Sequence, residues 1–195
     1  MRILAGDSRG RPFKSVPKSL SVKPISARIK KSVFDILRPW LGGAKFLDLY
    51  AGTGAVGLEA LSRGAESCFF VDRDKRCLAV INENLKTLGL AARARTSYGD
   101  ILQDLSWVAY RAGVSTFDLI YLGPPYRDEE NHPLHYSTPS LVRVAQAGLL
   151  APRGLVLVQH HIKEEVAVPA GYERSRREKY GDSLVDFHRR VAAAV

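Results

Sequence analysis

An α/β fold with a seven-stranded, mostly parallel sheet and an antiparallel C-terminal hairpin is predicted by three observations. From residue 44 onward, short apolar runs alternate with amphipathic stretches, the pattern of a parallel sheet covered on both faces. The first apolar run, Phe46-Leu47-Asp48-Leu49, breaks at the glycine-rich turn Gly52-Thr53-Gly54 and resumes as an amphipathic helix from Ala55. Near the end, residues 172–180 and 184–191 flank Gly181-Asp182-Ser183, which reads as a hairpin instead of a further strand–helix unit.

The remaining elements follow in order. Residues 2–5 and 11–16, strand-like around Gly6-Asp7-Ser8-Arg9-Gly10, predict a small N-terminal β-hairpin. With the extended stretch up to Pro24 it forms a basic extension over residues 1–24, ahead of a main domain over 25–195. Ser26 is suited to N-cap a helix that ends by Pro39. That helix has Ile29, Val33, Phe34, Ile36 and Leu37 on one face and Arg28, Lys30 and Lys31 on the other. A second strand over 67–71 closes on Asp72. A helix over 75–88 follows, with Leu78, Ile81, Leu85 and Leu88 in phase and Gly89 stopping it. A weaker strand over 93–97 leads to Gly99-Asp100, then a helix over 101–112, a strand over 117–122, a helix around 134–147 and a strand over 154–159.

Composition narrows the function classes. With 46% hydrophobic and 25% charged residues in 195, the chain is no disordered polymer and can build one sizeable core. No apolar run approaches the roughly 18 residues that span a bilayer, and no signal-peptide core is present, so a cytoplasmic, membrane-free monomer is expected. Cys68 and Cys77 form no C-x-x-C pair and read as reduced thiols. The five histidines show no ligand spacing, so no metal is expected, and His160 and His161 read as a solvated strand end. Within residues 1–31, nine basic groups face Asp7 alone, placing +8 of the net +9 there. A polyanion-binding arm is one reading and a solvated basic arm the other. On the first reading Arg2, Arg9, Arg11, Lys14, Lys23, Arg28 and Lys31 contact nucleic acid.

The turn after the first strand is a nucleotide-binding loop, because glycines permit left-handed backbone and close ligand approach while the next helix offers N–H donors. Residues 52–57 also satisfy G-x-G-x-x-G. Asp48, four residues before Gly52, would repel a pyrophosphate and favour a cationic ligand. S-adenosylmethionine, with a sulfonium and an ammonium, fits better than NAD. The cofactor contacts expected are Asp48, the loop residues Tyr50, Ala51, Gly52, Thr53 and Gly54, Asp72 with its neighbour Arg73, and Asp100 with Ile101. Asp72 would accept from ribose hydroxyls, Asp100 from an adenine amine, and Ile101 would touch the ring. Either acid could instead cap a helix, and Asp74 is the better cap.

The fourth strand closes on Gly123-Pro124-Pro125-Tyr126. The prolines stiffen the turn and leave carbonyl acceptors for a substrate amine, while Tyr126 offers a ring for stacking. These four residues are the candidate catalytic element, suited to orienting a planar amine for attack on a sulfonium methyl.

At these residues the chain resembles RsmD, the bacterial 16S rRNA guanine-N2 methyltransferase family. The resemblance is carried by Arg2-Ile3-Leu4-Ala5-Gly6 with Arg9-Gly10-Arg11, by Lys23-Pro24 through Arg28 and Phe34, and by the run from Asp48 to Ala65. It continues in Val71-Asp72-Arg73-Asp74 and Pro124-Pro125-Tyr126. It implies a Rossmann-like class I methyltransferase fold and methyl transfer from S-adenosylmethionine to the exocyclic N2 of a guanine. The implied partner is 16S rRNA in 30S subunits or their assembly intermediates. The family carries Asp or Asn where this chain has Gly123. The Gly123 and Pro124 carbonyls are expected to hold the amine, with a water in the vacated space, so that Gly123→Asp retains activity. Two alternatives remain within nucleic-acid binding: a catalytically impaired rRNA-binding assembly factor, and a methyltransferase acting on another nucleic-acid amine. An NAD-dependent oxidoreductase is disfavoured by Asp48.

Overall fold

In the computed structural model, which describes residues 1–17, 20 and 24–191, seven strands form one sheet in the order β3-β2-β1-β4-β5-β7-β6. The strands are β1 (Lys45–Leu49), β2 (Ser67–Asp72), β3 (Ala94–Tyr98), β4 (Phe117–Leu122), β5 (Leu150–His161), β6 (Tyr172–Tyr180) and β7 (Ser183–Arg190). The helices are α1 (Ala27–Ile36), α2 (Arg38–Leu41), α3 (Ala55–Ser62), α4 (Lys75–Leu88), α5 (Trp107–Ala112) and α6 (Ser137–Gln146). β1 with β2, β2 with β3 and β4 with β5 run parallel, whereas β7 pairs antiparallel with both β5 and β6. The mostly parallel sheet with its terminal hairpin is therefore present. The chain divides into two compact units, residues 1–100 and 101–195.

In the first unit, Phe46, Leu47, Leu49 and Phe70 are fully buried, so β1 and β2 carry continuous apolar runs and no alternating pattern, as parallel strands covered on both faces do. All eight residues of α3 are buried, which makes it a core helix. α1 is amphipathic: the Ser26 hydroxyl accepts from the Ile29 N–H at 3.2 Å, and Phe34 stacks on Phe46 with ring centroids 6.4 Å apart. α4 ends on Gly89 in the left-handed conformation at φ 74°, where glycine carries no steric cost.

The N-terminal hairpin is realised as one antiparallel bridge, Arg2 to Pro12, and not as two strands. Ile3 and Phe13 N–H groups still pair across the turn with the Arg11 and Met1 carbonyls, but the donors nearer the turn point onto α3. Leu4 and Ala5 N–H groups reach the two oxygens of Glu59 at 2.9 and 3.0 Å, and Ser8 N–H reaches the Ser62 hydroxyl at 3.0 Å. That hydroxyl donates to the Ala5 carbonyl at 2.6 Å. A β-carbon on Gly6 would sit 1.8 Å from the Ser62 carbonyl oxygen, so glycine is required by contact. Glu59 has no exposed surface and also holds Lys30 Nζ at 3.0 Å and Arg63 Nε at 2.8 Å. Lys30, expected on the outward basic face of α1, is thus turned inward, and burial pulls its ammonium below its usual range against the opposing pull of Glu59.

In the second unit three boundaries move. The helix expected from residue 101 starts only at Trp107, because Asp104 accepts from the Ser106 N–H at 3.1 Å and holds a turn there. The one expected around residue 134 begins at Ser137. β5 extends through His161 because β7 continues to pair with it, His160 facing Leu184. His160 is consequently buried, and the expectation of a solvated end fails for it. Its Nε2 lies 3.3 Å from Asp186, which also accepts from Arg177 Nε at 2.6 Å and Nη2 at 2.7 Å. Burial would raise the Asp186 carboxyl, but these donors hold it well below the carboxylate range. Next to it His188 is fully buried, with neither ring nitrogen partnered among the described residues.

Two stability outcomes are expected from these buried groups. Glu59→Gln leaves the Lys30 ammonium without its buried counter-charge and is expected to lower unfolding free energy by about 3–5 kcal/mol in urea titrations. Burial lowers His188 from 6.5 to about 4. The unfolded chain therefore takes up the proton first, and stability is lost as pH falls from 6.5 toward 4. The expected loss is roughly 3 kcal/mol, and His188→Leu flattens that limb of the stability–pH curve.

Candidate functional site

The first unit builds a loop whose main chain is held from beneath by carboxylates. After Leu49 the backbone turns left-handed at Tyr50 (φ 63°), Gly52 (φ 54°) and Gly54 (φ 75°). Tyr50 is not a glycine, so its conformation stores about 1–3 kcal/mol that the surrounding contacts must hold. Gly52 N–H donates to Asp72 Oδ2 at 2.7 Å, and the other Asp72 oxygen accepts from Asp74 N–H at 2.9 Å. Gly57 N–H donates to Asp48 Oδ2 at 2.9 Å. A β-carbon on Gly57 would lie 2.3 Å from the Phe70 ring and 2.6 Å from Cys68 Sγ, and one on Gly54 2.9 Å from Ile81 Cγ1. The glycine pattern thus reflects helix–strand contact at Gly57 and backbone conformation at Gly52 and Gly54.

Asp48 is 1% exposed. Burial, the largest cause, and the neighbouring Asp72 charge push it up to about 8 even though Gly57 N–H favours the anion. The structure thus turns one Asp48 oxygen onto the first turn of α3 and biases the carboxyl toward its neutral form in the ligand-free chain. Asp72 is likewise raised, mainly by burial. Nearby positive charge would shift both back toward the anion, so the pair remains suited to a cation.

Thr53 and Ala51 are buried in the loop, Tyr50 is half-buried and Arg73 is exposed. Asp74, the better cap by sequence, caps α4 through Arg76 N–H at 2.8 Å. The end of β3 is tied beside Asp72, with Gly99 N–H on the Asp72 carbonyl at 3.2 Å and half-buried Asp100 following. The first unit therefore gathers Asp48, Tyr50, Ala51, Gly52, Thr53, Gly54, Asp72 and Asp100. Ile101, buried, belongs to the second unit.

That second unit also holds the amine-side element. Gly123 is half-buried, Pro124 is buried, and Pro125 and Tyr126 are half-buried. The space beside Gly123 is not open: a β-carbon there would come 2.8 Å from Tyr121 Cε1. The Tyr121 phenol donates to Gln159 Oε1. Gln159 Nε2 donates to Tyr126 Oη at 2.8 Å, and Tyr126 Oη donates to Ser183 Oγ at 3.2 Å. The Tyr126 and His161 rings meet edge-on, with centroids 5.9 Å apart and planes inclined at 68°. Tyr121, Gln159 and Ser183 were not singled out from sequence. The available signals were a phenol in a buried strand, which needs a partner, and a lone amide closing the apolar run 154–159.

The basic groups divide. Arg11 donates to the Thr87 and Leu88 carbonyls, closing the C-terminal end of α4. Arg2 donates to the Gly10 carbonyl at 2.8 Å, Lys14 pairs with Glu83, and Lys31 pairs with Asp35 at 2.7 Å. Arg9 and Arg28 are exposed, and Lys23 lies outside the described residues.

The raised Asp48 gives a pH test. Its neutral form suits the loop by itself, so stability is fully present below 3.8 and is lost as pH rises through about 8. Asp48→Asn keeps an acceptor for Gly57 N–H and cannot ionise. At pH 8 its ligand-free Tm is expected to exceed wild type by about 5 °C or more, and the difference should shrink at pH 5, as read by scanning calorimetry.

The family described as conserved hypothetical protein 95 matches residues 1–189. YlbH of Bacillus subtilis (strain 168), a candidate rRNA methyltransferase, is 33% identical over 97% of this chain and 99% of its own length. Ribosomal RNA small subunit methyltransferase D of Escherichia coli (strain K12) is 30% identical over 98% of this chain and 91% of its own. Among solved structures, the yhhF protein of Escherichia coli superposes with a TM-score of 0.79 at 26% identity, covering 97% of each chain. A hypothetical protein of Thermus thermophilus superposes with a TM-score of 0.75 at 30% identity, covering 98% of this chain and 99% of its own. The chain belongs to the conserved hypothetical protein 95 family, the RsmD family of S-adenosylmethionine-dependent rRNA methyltransferases.

Proposed function

We propose that this protein methylates the exocyclic N2 of a guanine in 16S rRNA, within 30S subunits or their assembly intermediates in the cytoplasm, using S-adenosylmethionine. The observation that carries the reading is the occurrence in one chain of a carboxylate-anchored glycine loop and a Pro-Pro-Tyr strand end, with 30% identity to a small-subunit rRNA methyltransferase over nearly its whole length.

The residues fit the donor. Each Asp72 oxygen uses one lone pair on a backbone N–H and keeps another for a ribose hydroxyl. Tyr50, Ala51, Gly52, Thr53 and Gly54 supply the close main-chain surface, Asp100 accepts from the adenine amine with Ile101 against the ring, and Arg73 flanks the ribose acid. Bound S-adenosylmethionine supplies an electrophilic sulfonium methyl. On the acceptor side, the Gly123 and Pro124 carbonyls take the two amine hydrogens and aim the nitrogen lone pair, Pro125 keeps the turn rigid, and Tyr126 stacks on the base. Carbonyl dipoles stabilise the positive charge that grows on nitrogen, and its proton leaves to water, so no strong base is required. Arg2, Arg9, Arg11, Lys14, Lys23, Arg28 and Lys31 supply the phosphate-facing charge of the arm. Those already paired with carboxylates or carbonyls would contact RNA only by sharing or exchanging partners.

A second reading, a binding-only assembly factor, is favoured by one feature, the absence of a side-chain acceptor at Gly123. Incubation of undermodified 30S particles with methyl-tritiated S-adenosylmethionine separates the two. Label is expected in 16S rRNA and, after digestion, in N2-methylguanosine. Label in methyladenosine would shift the substrate to another amine, and binding without label would leave the assembly factor.

A further inference from the structure

The space that an acceptor side chain at position 123 would occupy is filled from two residues back. Residues i and i+2 of a strand face the same way, and at the end of β4 this sets the Tyr121 ring beside Gly123, with its Cε1 2.8 Å and its Oη 3.6 Å from where a β-carbon would be. The ring cannot give way freely. It is 4% exposed, and its phenol is bonded to Gln159, one residue beyond Val158, which faces Leu122 in the β4–β5 register.

The Gln159 amide has a distinct partner at each end, accepting from Tyr121 and donating to Tyr126. Tyr126 is then held at its phenol by two bonds, the second to Ser183 at the start of β7, and its ring lies against that of His161, which pairs with Ser183 in the β5–β7 register. Position 123 and the Tyr126 ring are thus connected through two side chains, Tyr121 and Gln159. The Gln159 amide cannot keep both bonds unless Tyr121 and Tyr126 hold their present places.

We propose that Tyr121 and Gln159 are positioning residues for methyl transfer: through Tyr126 they set the plane on which the target base stacks, and by filling the β-position they keep residue 123 glycine, so that its carbonyl receives the base amine. This rests on the reading of residues 123–126 as the amine-holding element. It reverses the sequence-based expectation for Gly123→Asp. A β-carbon there forces the Tyr121 ring to shift against its bond to Gln159, so on this reading the residue usual in the family is harmful in this chain. The water expected in the vacated space has no room, because the ring occupies it.

The test uses the full chain, undermodified 30S particles and labelled S-adenosylmethionine, with S-adenosylhomocysteine binding and Tm measured in parallel. Tyr121→Phe keeps the ring and removes the donor to Gln159. Its kcat is expected to fall about tenfold or more, while KM for S-adenosylmethionine and S-adenosylhomocysteine affinity stay within about twofold. Gln159→Leu should behave alike, and the double variant should lose little beyond either single one, as members of one network do. Gly123→Asp should lose about tenfold or more in the parent and clearly less in a Tyr121→Val background. Unaltered kcat in Tyr121→Phe and Gln159→Leu, or a fully active Gly123→Asp with Tyr121 in place, overturns the inference. If Tyr121→Val does not fold, the Tyr121→Phe and Gln159→Leu pair still decides. A wild type that labels no 30S preparation overturns both the function and this inference, whereas an active wild type with unaltered variants overturns only the latter.

Discussion

Two backbone N–H groups, those of Gly52 and Gly57, end on the buried carboxylates of Asp72 and Asp48, and the conformation of the turn between β1 and α3 depends on this pair of contacts. With no β-carbon tolerated at Gly57 against Phe70 and Cys68, α3 lies directly on β2, and the loop between β1 and α3 has little freedom left. The same contacts set its electrostatics. Burial holds the Asp48 and Asp72 carboxyls toward their neutral form, and nearby positive charge would favour their ionisation. The left-handed Tyr50 is part of this arrangement, a strained residue sustained by its well-packed surroundings.

Glu59 plays the corresponding role for architecture. A fully buried carboxylate with two backbone donors, an ammonium and a guanidinium around it is satisfied only when the N-terminal segment, α1 and α3 are all in place. Breaking such a set by removing one partner is costly, while its net contribution over an apolar equivalent is small. Its value lies in specifying one arrangement. The basic arm is thereby anchored at its root, with Arg11 closing the end of α4. Glu59, Ser62 and Arg63, within the run from Asp48 to Ala65 that carries the family resemblance, serve this anchoring.

At the other strand end, the physical constraint is that buried polar groups find partners. Tyr121, Gln159, Tyr126 and Ser183 satisfy one another in series, and that series fills the space beside Gly123. Absence of a side chain at one position and presence of a ring at another are two sides of one packing solution. The buried Asp186 with His160 and Arg177 follows the same rule, whereas both ring nitrogens of His188 lack a partner among the described residues and burial disfavours its charged form.

The sequence by itself determined the strand–helix alternation, the glycine loop, the terminal hairpin and the cap residues Ser26 and Asp74. These rest on periodicity and on local backbone chemistry, which act over a few residues. It also exposed the acids at the strand ends, because position along a strand is a local property. Tertiary structure alone decided the direction in which charged groups point. Lys30 turns inward because Glu59 waits on a helix nearly thirty residues away, and Asp48 faces a backbone N–H nine residues on. Likewise, Gly123 is enclosed because a ring on its own strand is locked by an amide on the next one. Side-chain partners separated by tens of residues leave no period in the sequence, and burial, which sets their ionisation, exists only once the chain has folded.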